Sequence, residues 1–237
     1  MLQILNGFTR IMPYAYVARE PVRTISKDGR RRTTDDIALD LRTVPRGVIG
    51  WGYVEATPEN VAVLCQPGRV NYFIYRDPRD MLVSQVFFAT DMHEEHGMHA
   101  FYNSLPDFGE RLKVAITGID RDGLKMVSVR QRYESVFEWL EQPHVMCIRF
   151  EGLIENRDAT LNAMLDEVEK TGYIIPVSRE KALGILVKAI QPEKSHTFRS
   201  GETGGWVEHF TDEDKALFKE VTGDLLVKLG YEENNDW

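Results

Sequence analysis

Apolar and polar positions along the chain switch between two periods, and the switching is the first structural signal. RVNYFIY, residues 69–75, is a β-branched and aromatic run that predicts a strand. It stops at Arg76-Asp77-Pro78-Arg79-Asp80, after which MLVSQVFFA resumes with apolar spacing that suits a helix. The same grammar recurs downstream. HVMCIRF, residues 144–150, predicts a buried strand, a polar turn follows, and Ala159 to Lys170 places Leu161, Met164, Leu165 and Val168 on one helical face. Strands alternating with helices predict a parallel sheet and hence an α/β fold.

Further helices are expected at Pro58–Leu64 behind Thr57, with proline at the first position, at Met126–Leu140, at Arg179–Ile190 behind Ser178, and at Asp212–Leu229. In the last, Thr211 stands three before Asp214 in a cap-like arrangement, Leu217, Phe218, Val221, Leu225 and Leu229 form an apolar stripe, and Gly230 follows as the stop. Residues 21–52 show no period and are expected to be loop with short helical pieces. No repeat, low-complexity tract or linker divides the chain, and the acidic close EENNDW is too short for a tail domain, so residues 1–237 are expected to form a single domain.

Composition narrows the function classes only in part. With 237 residues, one substantial core is the default and no disulfide or metal staple is needed. A net charge of −8 disfavours non-specific grip on nucleic acid or anionic lipid but permits a local basic pocket for a small anion. Cys65 and Cys147 lie in apolar runs and read as small buried hydrophobes. No window is long and apolar enough for a membrane span, and MLQILNGFTR is no signal peptide; a cytoplasmic location is expected.

Two segments carry candidate chemistry. Where a strand feeds a helix at the carboxyl edge of a parallel sheet, the helix start offers backbone N–H groups to an anion, and Arg76 and Ser84 add charge and a hydroxyl. Surface pairing of Arg76 and Arg79 with Asp77 and Asp80 is the competing reading. FRSGETGGWVEHFT, residues 198–211, is too rich in glycine for a stable helix or strand, and brings backbone N–H groups within reach of an anion. Its competing reading is a surface connection that Trp206 pins to the core.

Together the two segments resemble one family. FIYRDPRDMLVSQVFF is similar to the 3′-phosphate-binding strand-turn-helix of sulfotransferases that use 3′-phosphoadenosine 5′-phosphosulfate (PAPS), with Arg76 and Ser84 at the family's spacing. Residues 199–211 resemble its second signature, Arg-Lys-Gly-x-x-Gly-Asp-Trp-Lys-x-x-Phe-Thr, with Arg199, Gly201, Gly204, Trp206, Phe210 and Thr211 in register. IRFEGLIENRDATL is similar to the stretch between them, with Phe150 where the family has an adenine-contacting tyrosine. The resemblance runs from about Met1 to Tyr231. It implies a three-layer α/β/α fold around a central parallel sheet, related to P-loop nucleotide kinases, and PAPS as co-substrate, bound through Arg76, Ser84, Phe150, Phe198, Arg199 and Gly201. It further implies transfer of a sulfuryl group to a hydroxyl or amine acceptor, whether small molecule, glycan or lipid, without metal or nucleic acid.

Three departures accompany the match. The family's first strand and phosphosulfate loop, approximately Pro-Lys/Arg-Ser-Gly-Thr, have no counterpart, and MLQILNGF resembles the helix after that loop; the chain is expected to start just past its own anion cradle. Tyr53 stands where the resemblance places the catalytic histidine; a phenol of ordinary pKa near 10 is a poor base at neutral pH, and a packing aromatic is the plainer reading of it. Ser200 replaces the signature lysine and removes one cation from the 3′-phosphate pocket. The first two departures keep open a non-catalytic nucleotide-binding or interaction module. His93, His96 and His99 invite a metal reading, with His96 and His99 on one helical face, but Gly97 interrupts that helix and no thiolate assists. A polar role facing the acceptor suits this stretch better.

Overall fold

In chain order the helices and strands begin with α1 (Leu2–Ile11), β1 (Tyr16–Val17), α2 (Thr34–Arg42), β2 (Val48–Ile49), α3 (Pro58–Leu64), β3 (Tyr72–Tyr75) and α4 (Pro78–Phe87). A π-helical turn, Phe88–Met92, leads to α5 (His99–Ser104), α6 (Phe108–Thr117), β4 (Ile119–Arg121), β5 (Leu124–Met126), α7 (Val129–Glu134) and α8 (Glu138–Glu141). Then come β6 (Met146–Arg149), α9 (Phe150–Glu155), α10 (Arg157–Lys170), α11 (Arg179–Ala189), α12 (Asp212–Thr222) and α13 (Leu225–Lys228). The structure is a computed structural model and describes residues 1–26, 30–121, 123–195, 198–199 and 201–237. They gather into two compact units, Met1–Tyr75 with Ser135–Pro192, and Arg76–Glu134 with Glu193–Trp237.

The first unit is an α/β arrangement of parallel strands and helices. β3 pairs with β6 in parallel, Tyr72 opposite Met146 through Tyr75 opposite Arg149, and β1 pairs with β2, Tyr16 opposite Val48. These are two separate ladders; no strand among the described residues joins them into one sheet. Ile4, Phe8 and Ile11 of α1, each at most 2% exposed, pack with Leu161, Met164 and Leu165 of α10 and Leu186 of α11, and Ile148 of β6 lies in the same core. Each such side chain contributes roughly 1.5–3 kcal/mol on burial. Gly7 lets α1 and α11 close up, since a Cβ there would stand 2.9 Å from Leu186 Cδ2. Tyr72 stacks on Phe8 at 6.2 Å and donates its hydroxyl to the Met164 carbonyl at 2.7 Å; burial, then Glu167, pushes its pKa up.

In the second unit α4 and α12 both pack on α6, and β4 and β5 form an antiparallel hairpin. Leu82, Val83 and Val86 of α4, Leu112 and Ile116 of α6, and Phe218 of α12 are fully enclosed.

Local chemistry set many boundaries as expected. Thr57 caps α3 with Pro58 in its first turn, Ser178 caps α11, and Thr211 and Asp214 form a reciprocal capping box at α12. Other expectations need correction. The 69–75 strand is reduced to Tyr72–Tyr75; just before it the Asn71 carbonyl accepts the Met146 N–H at 2.9 Å, and the Asn71 side chain donates to the Leu64 and His144 carbonyls. The helix expected over Met126–Leu140 is lost at its start and broken in its middle: Met126 belongs to β5, paired with Ile119, and α7 and α8 are separate short helices. Asp212–Leu229 is two helices, broken at Gly223 with φ +58°. The unassigned 21–52 stretch holds α2, nine residues long, capped by Thr33 on the Asp36 N–H. Cys65 and Cys147 are only half-buried, and both are free; burial pushes both thiols up. Among the described residues no helix is long and apolar enough to cross a membrane.

Candidate functional site

The turn after β3 places four charged residues in five positions, and its hydrogen bonds show what each does. Asp77 caps α4 by accepting the Arg79 N–H at 2.8 Å, and the Arg79 guanidinium closes back on both Asp77 oxygens at 2.7–3.2 Å. Arg79 and Asp77 therefore pair, as the competing reading had it, but inside the protein: Arg79 is 3% exposed. Burial alone would lower the Arg79 pKa; hydrogen bonds and charge from Asp77 and Glu232 reverse this and hold it above its ordinary value. Arg76 points elsewhere. Its Nη2 donates to the Glu202 carbonyl at 3.0 Å, and its own carbonyl accepts the Tyr133 hydroxyl at 2.8 Å.

Asp80, also 3% exposed, ties the two signature segments together. One carboxylate oxygen accepts the Gly204 N–H at 2.7 Å, the other the Trp206 N–H at 2.9 Å. Gly204 has φ +75° and precedes a 3₁₀ turn over Gly205–Glu208, so the carboxylate sits where that turn leaves its first N–H groups unpaired. Arg76 Nη2 is 3.8 Å from the same carboxylate. Asp80 escapes a sequence reading as a partner for the loop because the two lie more than a hundred residues apart; its place four residues before Ser84, on the same helix face, was the available signal.

Ser84 is half-buried on that face, and its hydroxyl has no hydrogen-bond partner among the described residues. Phe87, three residues further, carries the Arg199 guanidinium 4.8 Å above its ring and packs edge-on against His209 at 5.3 Å. Ser84 is thus bracketed along α4 by Asp80, which holds the glycine loop, and by Phe87, which holds Arg199. Gly201 adopts φ +71°, and Phe198 covers it so closely that a Cβ would stand 2.8 Å from Phe198 Cε2. Both the backbone and the ring demand glycine there. Arg199 is exposed, and Phe198 is 37% exposed. Burial, then the Arg199 charge, lowers the His209 pKa against the opposing pull of Glu208 and Asp80.

The arrangement brings Arg76, Ser84, Arg199, Gly201 and Phe198 into one unit. Asp80 spends both oxygens on the loop backbone, and the guanidinium groups of Arg76 and Arg199 and the Ser84 hydroxyl lie in this unit as groups suited in kind to an anion. Ser200 lies outside the described residues. Phe150 and Tyr53 belong to the other unit: Phe150 is the first residue of α9, half-buried, while Tyr53 is 90% exposed in the extended segment before α3. Tyr53 therefore does not pack as a core aromatic. His96 and His99 do not share a helix face, because α5 begins only at His99. His96 Nδ1 accepts the Met98 N–H at 3.1 Å, and His99 Nδ1 lies 2.8 Å from the Ala89 carbonyl. No group of three potential ligands among the described residues is placed to hold a metal ion.

A family profile described as a sulfotransferase domain matches residues 72–230, well over half of the chain. Among solved structures, mouse sulfotransferase SULT7A1 complexed with PAP superposes with a TM-score of 0.62 at 13% identity, over 96% of this chain and 80% of that one. Retinol dehydratase, solved with androsterone and the inactive cofactor PAP, superposes with a TM-score of 0.56 at 14% identity, over 82% of this chain and 57% of that one. No curated protein matches by sequence.

Proposed function

Because this chain belongs to the sulfotransferase family, we propose that it transfers a sulfuryl group from PAPS to a hydroxyl or amine acceptor. The observation that carries the reading is the tie between Asp80 and the Gly204–Trp206 backbone, which sets the glycine loop against the helix face bearing Ser84. Arg76 and Arg199 supply charge to the 3′-phosphate, the Ser84 hydroxyl donates to it, and Gly201 keeps the loop backbone close. PAPS brings the sulfuryl group and leaves as adenosine 3′,5′-bisphosphate (PAP) when the acceptor oxygen or nitrogen attacks sulfur in line. The chain's own part is positioning and charge stabilisation, with no covalent enzyme intermediate.

Ligand that binds only the folded state raises stability by mass action. At a hundred times Kd the gain is about 2.7 kcal/mol. For a chain of this length that is a rise in Tm of roughly 5–11 °C. PAP is expected to give such a shift while 5′-AMP, which lacks the 3′-phosphate, gives a much smaller one. Equal shifts, or none, would remove the assignment.

One observation favours a second reading, a nucleotide-binding module without turnover: Tyr53, aligned with the family's base, stands 90% exposed with no side-chain hydrogen bond among the described residues. A general base contributes ~10²–10⁴ in rate when held against its substrate. If this chain turns over, Tyr53→Phe is expected to keep kcat within about threefold of the parent, and a loss in the 10²–10⁴ range would establish Tyr53 as the base. PAP binding without sulfate release from PAPS across an acceptor panel would select the module.

A further inference from the structure

The acidic close EENNDW is too short for a tail domain, yet the structure folds it back onto the glycine loop's support. Glu232 Oε1 accepts from Arg79 Nη1 at 2.5 Å. The Trp237 ring lies 4.5 Å from the Arg79 guanidinium carbon, and the Trp206 ring lies 4.0 Å from it. The two indoles meet at 89° with centroids 5.5 Å apart, so Arg79 occupies the corner between them. Trp237 is itself fastened: Lys219 donates to its main-chain oxygen at 2.7 Å with its ammonium 4.7 Å from the ring, and Phe218 packs edge-on at 5.9 Å. Asp77, Trp206, Glu232 and Trp237 converge on one buried cation, and residues 218–219 fasten the Trp237 that covers it.

We infer that Glu232–Trp237 is a strap that fixes Trp206 through Arg79, and so holds the glycine loop in the form that receives the donor's 3′-phosphate. The inference rests on the donor-site reading above. The loop from Phe198 to Gly205 contains three glycines, and its described residues form no helix or strand before the 3₁₀ turn, so its order depends on anchors outside itself. Asp80 holds the backbone at Gly204 and Trp206; Phe210 packs edge-on against the Trp206 ring at 5.6 Å, and the Arg79–Trp237 corner holds that ring from the side of the tail. Glu232 and Trp237 act through Arg79 and Trp206 and touch no reacting atom. They are positioning residues.

The test compares the full chain with Trp237→Ala, Trp237→Phe and Glu232→Gln in two measurements. The first is amide hydrogen exchange across residues 198–210 without ligand, with α10 as an internal control in the other unit. Exchange in the loop is expected to speed up in Trp237→Ala, with recovery in Trp237→Phe and α10 unchanged. The second is the affinity for PAP beside that for 5′-AMP. PAP is expected to bind Trp237→Ala about tenfold more weakly, which is about 1.4 kcal/mol, while 5′-AMP affinity holds. General destabilisation would lower both ligands together and would overturn the inference. Unchanged loop exchange in Trp237→Ala overturns it as well, whatever the ligands do. If the parent chain binds no PAP, the donor reading fails on its own, and the exchange result still decides whether the strap holds the loop. If Trp237→Ala does not fold, Glu232→Gln carries the same comparison, because it removes the charge from Arg79 and keeps the side-chain volume.

Discussion

Replacing Asp80 by asparagine changes one atom in the contact that joins the two signature segments. The carboxylate accepts two main-chain N–H groups, from Gly204 at 2.7 Å and Trp206 at 2.9 Å, almost wholly out of water. A hydrogen bond to a charged group contributes about 1.5–3 kcal/mol net, against about 0.5–1.5 kcal/mol for a neutral pair. The asparagine oxygen keeps one partner at the lower value, and its NH₂ sets a donor against the donor at the other. The expected loss is roughly 2–4 kcal/mol, a fall in Tm of roughly 5–15 °C. A second effect runs the other way for binding. Arg76, 3.8 Å from the lost charge, no longer faces a carboxylate that competes with an anion for it, so PAP affinity is expected to fall by less than the stability loss implies. Thermal unfolding followed by near-ultraviolet circular dichroism reads the stability, and calorimetric titration with PAP reads the affinity. A Tm within about one degree of the parent would show that the Asp80 bridge does not hold the loop, and the argument for the site would fall with it.

Two further outcomes follow from neighbouring groups. Gly201→Ala imposes about 1–2 kcal/mol of left-handed backbone strain and pushes a methyl into Phe198, so PAP affinity in the same titration is expected to drop about tenfold; unchanged affinity would mean that the loop is not held at φ +71°. His209, its pKa lowered chiefly by burial and then by Arg199, binds protons less readily folded than unfolded, so stability is full above the ordinary histidine pKa and declines as pH falls through 6.5. His209→Phe, set among Phe87 and Phe108, is expected to flatten the slope of Tm against pH below 6.5, and an unchanged slope would assign that slope elsewhere.

What the sequence disclosed divides along the range of the interactions. Thr57 with Pro58, Ser178, and Thr211 with Asp214 announce their helices because each cap is made within three residues of itself. The turn that bears Arg76 and the helix that bears Ser84 are legible because strand, turn and helix follow one another directly in sequence. The errors sit where partners are remote or where one glycine outweighs a pattern. Met126 carries an apolar side chain that suits a helix, yet its backbone is claimed by Ile119 across the hairpin. At the other end, Leu217, Phe218, Val221 and Leu225 keep helical spacing straight across Gly223, so periodicity alone hides the break.

The same distinction explains why the supports of the signature segments escape a sequence reading. Asp80 looks from the sequence like a surface acid beside two arginines, and nothing local distinguishes a charge that faces water from one that terminates a turn 124 residues away. Arg79, Glu232 and Trp237 are harder still, because a charged residue followed by EENNDW at the far end predicts solvent for all of them. What reverses that expectation is mutual satisfaction. Asp77 and Glu232 neutralise the guanidinium, and two indole faces replace its water, which makes burial of the cation tolerable only when all four partners arrive together. A loop with three glycines takes its order from such distant contacts. Its residues can therefore match the family pattern in sequence while the contacts that hold them lie outside the matched segments.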